Sequence, residues 1–248
     1  MTILKLRKVS FSYENSSFIN KLSLSIKEGE FAGIIGANGS GKSTILKLSA
    51  GILNPSDGEV LLWNKPIHRY RGKDRAKLIS YLPQMLDSNL PFRVRELVSM
   101  GLYPYDIPPE LTPDEAIEVV GLRNKKDSPV TELSGGERRR VFIAMTLQQG
   151  AGVLLLDEPL ANLDIRYQIE LIRLLKGLRI EKGISVLMAL HDINMAFLFD
   201  TVHVIKEGRL LISGNPEETI TEGVLHEAFG VDVNIYRQED GTFSFGYK

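Results

Sequence analysis

The run Gly36-Ala-Asn-Gly-Ser-Gly-Lys-Ser-Thr44 is spaced for one kind of chemistry, the holding of phosphate. Gly36, Gly41, Lys42 and Ser43 meet the pattern G-x-x-x-x-G-K-[ST], in which glycines let successive N–H groups turn inward around an anion. A helix starting at the end of the loop adds partial positive charge toward the same point. Asn38, Gly39, Ser40 and Thr44 complete the loop. In such a loop the lysine reaches the outer phosphates and the Ser43 hydroxyl holds a magnesium ion.

Other chemistry-bearing residues lie far along the chain. Asp157 and Glu158 close the apolar run Val153 to Leu156, where open α/β sheets place their ligands. Neighbours on a strand point opposite ways, so the two acids need not share a task. Asp157 can face the magnesium ion, directly or through water, while Glu158 can orient or deprotonate an attacking water. Gln84, just past a short β run, is a neutral amide able to touch both a metal ion and a phosphate or water. His191 ends another apolar run and is a candidate γ-phosphate donor. Ser134-Gly-Gly-Glu137 is a capping box. A cap alone does not require Gly135 and Gly136, each costing about 1 kcal/mol relative to Ala inside a helix, whereas bare N–H groups at a helix start suit a second phosphate contact. Tyr13 is either a solvated turn or core-edge residue, or a ring on which adenine stacks.

These residues need a frame. The run Phe31 to Ile35 predicts a buried strand into the loop, and Ser43 to Ala50 a helix out of it, stopped by Gly51 in a left-handed conformation. Residues 1–30 read as β-structure, and Glu59 to Trp63 as a strand after the turn-rich stretch 54–58. Leu78, Ile79, Tyr81 and Leu82 make a short strand broken by Pro83. Val94, Leu97, Val98 and Leu102 recur at helical spacing, interrupted by Pro104, Pro108 and Pro109, before a second helix near Pro113 to Leu122. Tyr103 and Tyr105 read equally as a docking surface or a packed turn. A helix follows over Arg138 to Gln149. Asp164 reads as the N-cap of the next, whose apolar stripe is Ile165, Ile169, Ile172 and Leu175 and whose end is Gly183. Ile184 to Leu190 predicts a buried strand, and Lys206-Glu-Gly208 a hairpin between Thr201 to Ile205 and Arg209 to Ile212. The apolar stretches around Val231 to Ile235 and Phe243 to Tyr247 are too brief for a separate domain. His68, His203 and His226 receive no role.

Composition narrows the class. With 248 residues, 43% hydrophobic and 25% charged, the chain can bury an ordinary globular core. Thirty basic against thirty-one acidic side chains give a net charge of −1, so nothing global suggests wrapping nucleic acid. The absence of cysteine excludes disulfides, thiolate metal sites and a cysteine nucleophile. The opening residues lack the apolar core of a secretory signal, and no apolar run approaches the roughly 20 residues that span a bilayer. Work at a membrane would need a span from another chain.

Taken in order, GANGSGKST, Gln84, LSGGE, VLLLDEP, Asp164 in LANLD and His191 in LHD resemble the ATP-binding cassette family over essentially the whole chain. The resemblance implies an α/β fold: a P-loop NTPase (RecA-like) core with an antiparallel β-subdomain, from about 1–84 and 151–248, and an inserted α-helical subdomain at about 85–150. It implies that Tyr13 stacks adenine, that the loop and Lys42 cradle the phosphates, and that Ser43, Gln84 and Asp157 surround magnesium. Glu158 is then the catalytic base and His191 the switch histidine. Ser134, Gly135, Gly136 and Glu137 would complete the ATP site of a second copy in a head-to-tail homodimer, with Asp164 communicating across it. VRELVSMGLYPY at 94–105, YLPQ at 81–84 and the stretch 191–218 are similar to ATPase subunits of bacterial metal-chelate importers, which carry iron-siderophore, haem or cobalamin cargo. That likeness implies separate permease subunits, an extracytoplasmic substrate-binding protein acting indirectly, no nucleic acid, and a peripheral place on the cytoplasmic face of the membrane. The departures are Glu137 in place of a commoner glutamine, Met145 where arginine is frequent, and the wording of LANLD. The alternatives are an importer ATPase for another substrate, such as a metal ion, and a soluble non-transport cassette. The second usually pairs two cassettes or inserts long coiled coils, and neither is seen here.

Overall fold

The computed structural model describes residues 1–14, 16–87, 90–107, 109, 111–161, 163–237 and 243–247, the side chains of 244 and 247 excepted. Pro108 of the proline cluster and Asn162 of the LANLD run lie outside the described residues. In chain order the strands are β1 (Thr2–Tyr13), β2 (Ser16–Lys27), β3 (Phe31–Ile35), β4 (Asp57–Leu62), β5 (Lys65–Pro66), β6 (Ile79–Leu82), β7 (Val153–Asp157), β8 (Ser185–Ala189), β9 (Thr201–Lys206), β10 (Arg209–Gly214), β11 (Val233–Arg237) and β12 (Phe243–Tyr247). The helices are α1 (Lys42–Ser49), α2 (Gly72–Ala76), α3 (Val94–Ser99), α4 (Pro113–Val119), α5 (Gly135–Gln148), α6 (Ile165–Lys182), α7 (Pro216–Thr219) and α8 (Glu222–Phe229).

The six-stranded sheet has the order β10-β9-β3-β8-β7-β6, with every pair parallel except β9 with β10. Its central strands are buried on both faces, as helix-covered parallel sheets require. Successive residues point to opposite faces. Ala32, Ile34, Val153, Leu155, Leu187 and Ala189 meet α1 and the four-stranded antiparallel sheet β2-β1-β4-β5. Phe31, Ile35, Leu154, Leu156, Val186 and Met188 meet the core shared with α3, α4, α5 and α6. One sheet thus divides two apolar cores.

Parallel strands put their C-terminal ends in one row, which decides where the chemistry gathers. The loop follows β3, Gln84 follows β6, Asp157 ends β7 and His191 follows β8. Ile34 and Asp157 both pair in register with Ala189.

Local signals explain most element ends. Gly51, at φ +67, stops α1, and Gly183, at φ +65, stops α6. Thr112 caps α4 in a capping box with Glu115. One expectation fails on α6. Ile172 and Leu175 are buried, joined by Leu171, but Ile165 is 73% and Ile169 42% exposed, so only the C-terminal part of the proposed stripe faces the core. Asp164 holds the N-cap position, yet its side chain makes no capping hydrogen bond. The tyrosine pair divides: Tyr105 donates to the Gln149 carbonyl (2.9 Å), whereas Tyr103 is 79% exposed. The terminal hairpin β11-β12 packs back on the 3-10 turn Ile193–Leu198, with Phe243 stacked on Phe197 at 4.3 Å and Phe245 beside it. Among the described residues no helix is long and apolar enough to cross a membrane.

Candidate active site

The loop after β3 is held from below. A side chain at Gly36 would stand against the Ile205 carbonyl and the Ser40 hydroxyl, so the β9 backbone dictates glycine there. Gly41 precedes α1 at φ +111, a conformation that L side chains rarely adopt. The Gly208 N–H, in the β9–β10 turn, donates to the Ser40 carbonyl (2.9 Å). Lys42 is buried and donates to the Gly36 carbonyl (2.7 Å) and the Ala37 carbonyl (3.3 Å). Burial pushes its pKa down, and the carboxylates of Glu158 and Asp157 oppose that shift. Asn38 and Gly39 are exposed at the tip. The Ser40 hydroxyl is buried without a hydrogen-bond partner among the described residues. The Thr44 hydroxyl lies 3.1 Å from that of Tyr13, whose ring packs edge-on against Phe11 and Phe18 and remains 44% exposed.

The two acids are separated by the backbone rather than by strand alternation. β7 ends at Asp157, and Glu158 adopts φ +49, so the opposite-face argument stops applying one residue early. Ser43 Oγ donates to Asp157 Oδ1 (3.0 Å) and the Tyr81 hydroxyl to Oδ2 (3.3 Å). Burial raises the Asp157 pKa, the Ser43 bond counters it, and the neighbouring Glu158 charge adds to the rise. Tyr81 is likewise pushed up, first by burial and then by Asp157. Gln84 Nε2 donates to Glu158 Oε2 (2.8 Å), tying the loop after β6 to the proposed base. Ser43 Oγ, Asp157 Oδ1 and the Gln84 amide are hard oxygen donors of the kind magnesium takes alongside water and phosphate. The described residues contain no cluster of three His, Cys, Asp or Glu side chains that would suit a softer metal.

His191 is exposed and shares a cavity of about 310 Å³ with Glu158, Gln168 and Asp192. Ser134 and Glu137 form the expected reciprocal cap: Glu137 N–H donates to Ser134 Oγ (3.2 Å), and Ser134 N–H to Glu137 Oε2 (3.0 Å). These bonds hold the Glu137 carboxyl below its ordinary pKa. Gly135 and Gly136 form the first turn of α5, with Ser134 and Gly135 exposed. No hydrogen bond among the described residues joins Ser134 to Glu137 with the Lys42 loop, and Asp164 stands exposed apart from both. The structure therefore brings together the loop, Gln84, Asp157, Glu158 and Tyr13, and leaves the helix start of α5 facing outward.

Three contributors escaped the sequence. Tyr81 read only as part of a strand and Gly208 only as part of a hairpin turn, neither as a support of the site. Arg139 is 5% exposed and donates to the carbonyls of Gln84 (2.7 Å), Asp157 (2.7 Å), Pro159 (3.3 Å) and Glu158. Its only sequence signal was its place beside the LSGGE run.

The geometry could hold phosphate on the loop, with the Ser43 and Asp157 oxygens and the Glu158 carboxylate beside it. A family model described as ABC transporter matches residues 19–161. The chain belongs to the ABC transporter family. Over 97% of its length it is 38% identical to the petrobactin import ATP-binding protein of Bacillus anthracis, covering 92% of that protein. Over 95% of its length it is 37% identical to the iron(3+)-hydroxamate import ATP-binding protein of Bacillus subtilis, covering 90% of it. Among solved structures it is similar to a dimeric post-hydrolysis state of an ATP-binding cassette bound to ADP and Pi. There the TM-score is 0.77 at 27% identity, over 86% of this chain and 99% of that one. The fold is the P-loop NTPase fold of ABC cassettes, and the chain is an ATP-binding, ATP-hydrolysing transporter subunit. ABC cassettes form dimers and pair with transmembrane permeases.

Proposed function

We propose that this ABC ATPase powers an importer of iron-bearing chelates, working as a head-to-tail homodimer on the cytoplasmic face of a membrane beneath separate permease subunits. An extracytoplasmic binding protein would deliver the cargo. The cargo class is supported by the relatives' names, petrobactin and iron(3+)-hydroxamate import. The dimer reading rests on one observation: the Ser134–Gly136 terminus, with Ser134 and Gly135 exposed, makes no hydrogen bond to the Lys42 loop of its own chain among the described residues. By division of labour, residues 1–84 and 151–248 carry the loop and the acids, while residues 85–150 present α5 and face the permease.

Within one site, bound magnesium-ATP supplies the phosphoanhydride and an electrophilic γ-phosphorus. Lys42, resting on its own loop's carbonyls, exchanges them for phosphate oxygens. The loop N–H groups from Asn38 to Thr44 line the cradle, and Tyr13 offers its exposed ring to adenine. Ser43, Asp157 and Gln84 would hold a magnesium ion, which would offset the charge of the phosphate oxygens. Glu158, whose Oε2 accepts from the Gln84 amide, takes the proton of the attacking water. His191 donates to the γ-phosphate from across the shared cavity. Ser134, Gly135, Gly136 and Glu137 of the second copy close the site, and Asp164 contacts that copy.

The test is Glu158→Gln, which preserves shape and an acceptor for Gln84 while removing the base. ATP binding and ATP-driven dimerisation persist, and turnover falls about a thousandfold. Near-wild-type hydrolysis by the purified variant would remove Glu158 from the base role. Reconstitution with the permease in vesicles then tests the cargo, since iron chelates should stimulate turnover above metal ions alone.

A further inference from the structure

Arg138, Arg139 and Arg140 open the second turn of α5, where a run of cations ordinarily faces water. Arg139 instead points inward and is spent wholly on main-chain oxygens. It spans Gln84 in the loop after β6, Asp157 at the end of β7, and Glu158 and Pro159 in the turn beyond. Burying a guanidinium is costly unless its donors are satisfied, and here carbonyls take four of its five N–H groups, at least one on each nitrogen, while the Asp157 and Glu158 charges favour the cation. The position it grips is not an ordinary one. Glu158 sits at φ +49, a conformation a non-glycine residue keeps only where its surroundings over-determine it.

The other end of this connection is the exposed cap. Arg139 is five residues from Ser134 on one uninterrupted helix, roughly 7.5 Å along its axis. A displacement of the Ser134 end is therefore delivered by a rigid lever to the carbonyls of Glu158 and Gln84. We propose that Arg139 is a positioning residue that couples the Ser134 terminus of α5 to Glu158 and Gln84 of the same chain. Nucleotide engaged by that terminus on the second copy thereby sets the hydrolytic geometry of the first. This deepens, and rests on, the head-to-tail reading above. Each chain then senses through Arg139 whether the opposite site is filled, and hydrolysis at one site depends on occupancy of the other.

The experiment compares Arg139→Met, which keeps bulk and loses every donor, with Arg139→Lys, which keeps the charge and part of the bonding. Turnover is measured against ATP concentration alongside the melting temperature. The Met variant should lose 10- to 100-fold in kcat with KM for ATP within about twofold of wild type, and its Hill coefficient should fall to 1. The Lys variant should recover part of both. Wild-type kcat and Hill coefficient in the Met variant would overturn the proposal, as would a loss that merely tracks a lowered melting temperature with no recovery in Lys. Should the Met variant not fold, Arg139→Gln decides by the same two readouts. Size-exclusion of Glu158→Gln with and without Arg139→Met separates the two ideas. Dimers formed by ATP in both place the defect at hydrolysis, whereas no dimer from Glu158→Gln alone overturns the composite site itself.

Discussion

The two ends of this chain that the proposed function sets against phosphate are built on opposite principles. The Lys42 loop is anchored in the centre of a parallel sheet, with Lys42 buried on its own carbonyls and the Ser43–Asp157 bond already made. The Ser134 terminus is a helix start whose hydrogen bonds turn back on itself, with Ser134 and Gly135 exposed. One end is prepared to bind by itself. The other is kept in shape but presented outward, where the proposed function has it meet the nucleotide of a second copy. An affinity and a turnover can accordingly be separated by choosing which end to damage.

The largest effect comes from damaging each end in turn. Lys42→Ala and Ser134→Arg should each lower turnover by at least about a hundredfold. Only the first should weaken nucleotide binding to the isolated chain, measured by fluorescent-nucleotide titration. Mixing the two variants should rebuild one intact composite site, seen as nucleotide-dependent dimers that neither variant forms alone, with turnover recovered only in part because the opposite site stays empty. A mixture that forms no such dimer would break the contrast.

A smaller effect concerns the support beneath the loop. His203 lies on β9 beside β3, is 2% exposed, bonds Ser213 (2.8 Å), and is pushed down to about 4 by burial, with Glu30 opposing. A depressed histidine is neutral in the folded protein and charges first in the unfolded one. Its contribution is present above pH 6.5 and is lost as pH falls toward 4. About 2 kcal/mol of stability should disappear between pH 8 and pH 5, and His203→Leu should flatten that limb in urea melts. An unchanged limb would clear His203 of the effect. The smallest effect is at the exposed end. Ser134→Ala should cost about 1 kcal/mol of stability near neutral pH through the lost cap, and less in acid, where Glu137 takes up its proton. No loss in urea unfolding would mean that the capping box does not hold the terminus in shape.

Much of this contrast was legible before any coordinates. Glycine spacing, a capping box and apolar runs are local, and each demands its own backbone almost regardless of context. The loop, the ends of α1 and α6, and the row of strand ends were accordingly foreseen. What was hidden depends on contacts between distant residues. Glu158 leaves the strand at φ +49, which no alternation rule contains. Gln84 reaches Glu158 through irregular chain, and Tyr81 reaches Asp157 across adjacent strands. Nothing local marks Arg139 and Arg140 as buried, because burial of a cation is decided by acceptors elsewhere; Arg140 lies over the Tyr167 ring at 4.0 Å. Ile165 and Ile169 fit a stripe by spacing alone, yet the helix turns that face away from the core.

The stacking of Phe243 on Phe197 gives the last strand a reach beyond its own hairpin. Phe197 belongs to the turn that begins two residues after His191, so the chain's tail and the histidine loop share one aromatic clasp. A substitution at Phe243 therefore loosens the turn beside His191 as well as its own hairpin.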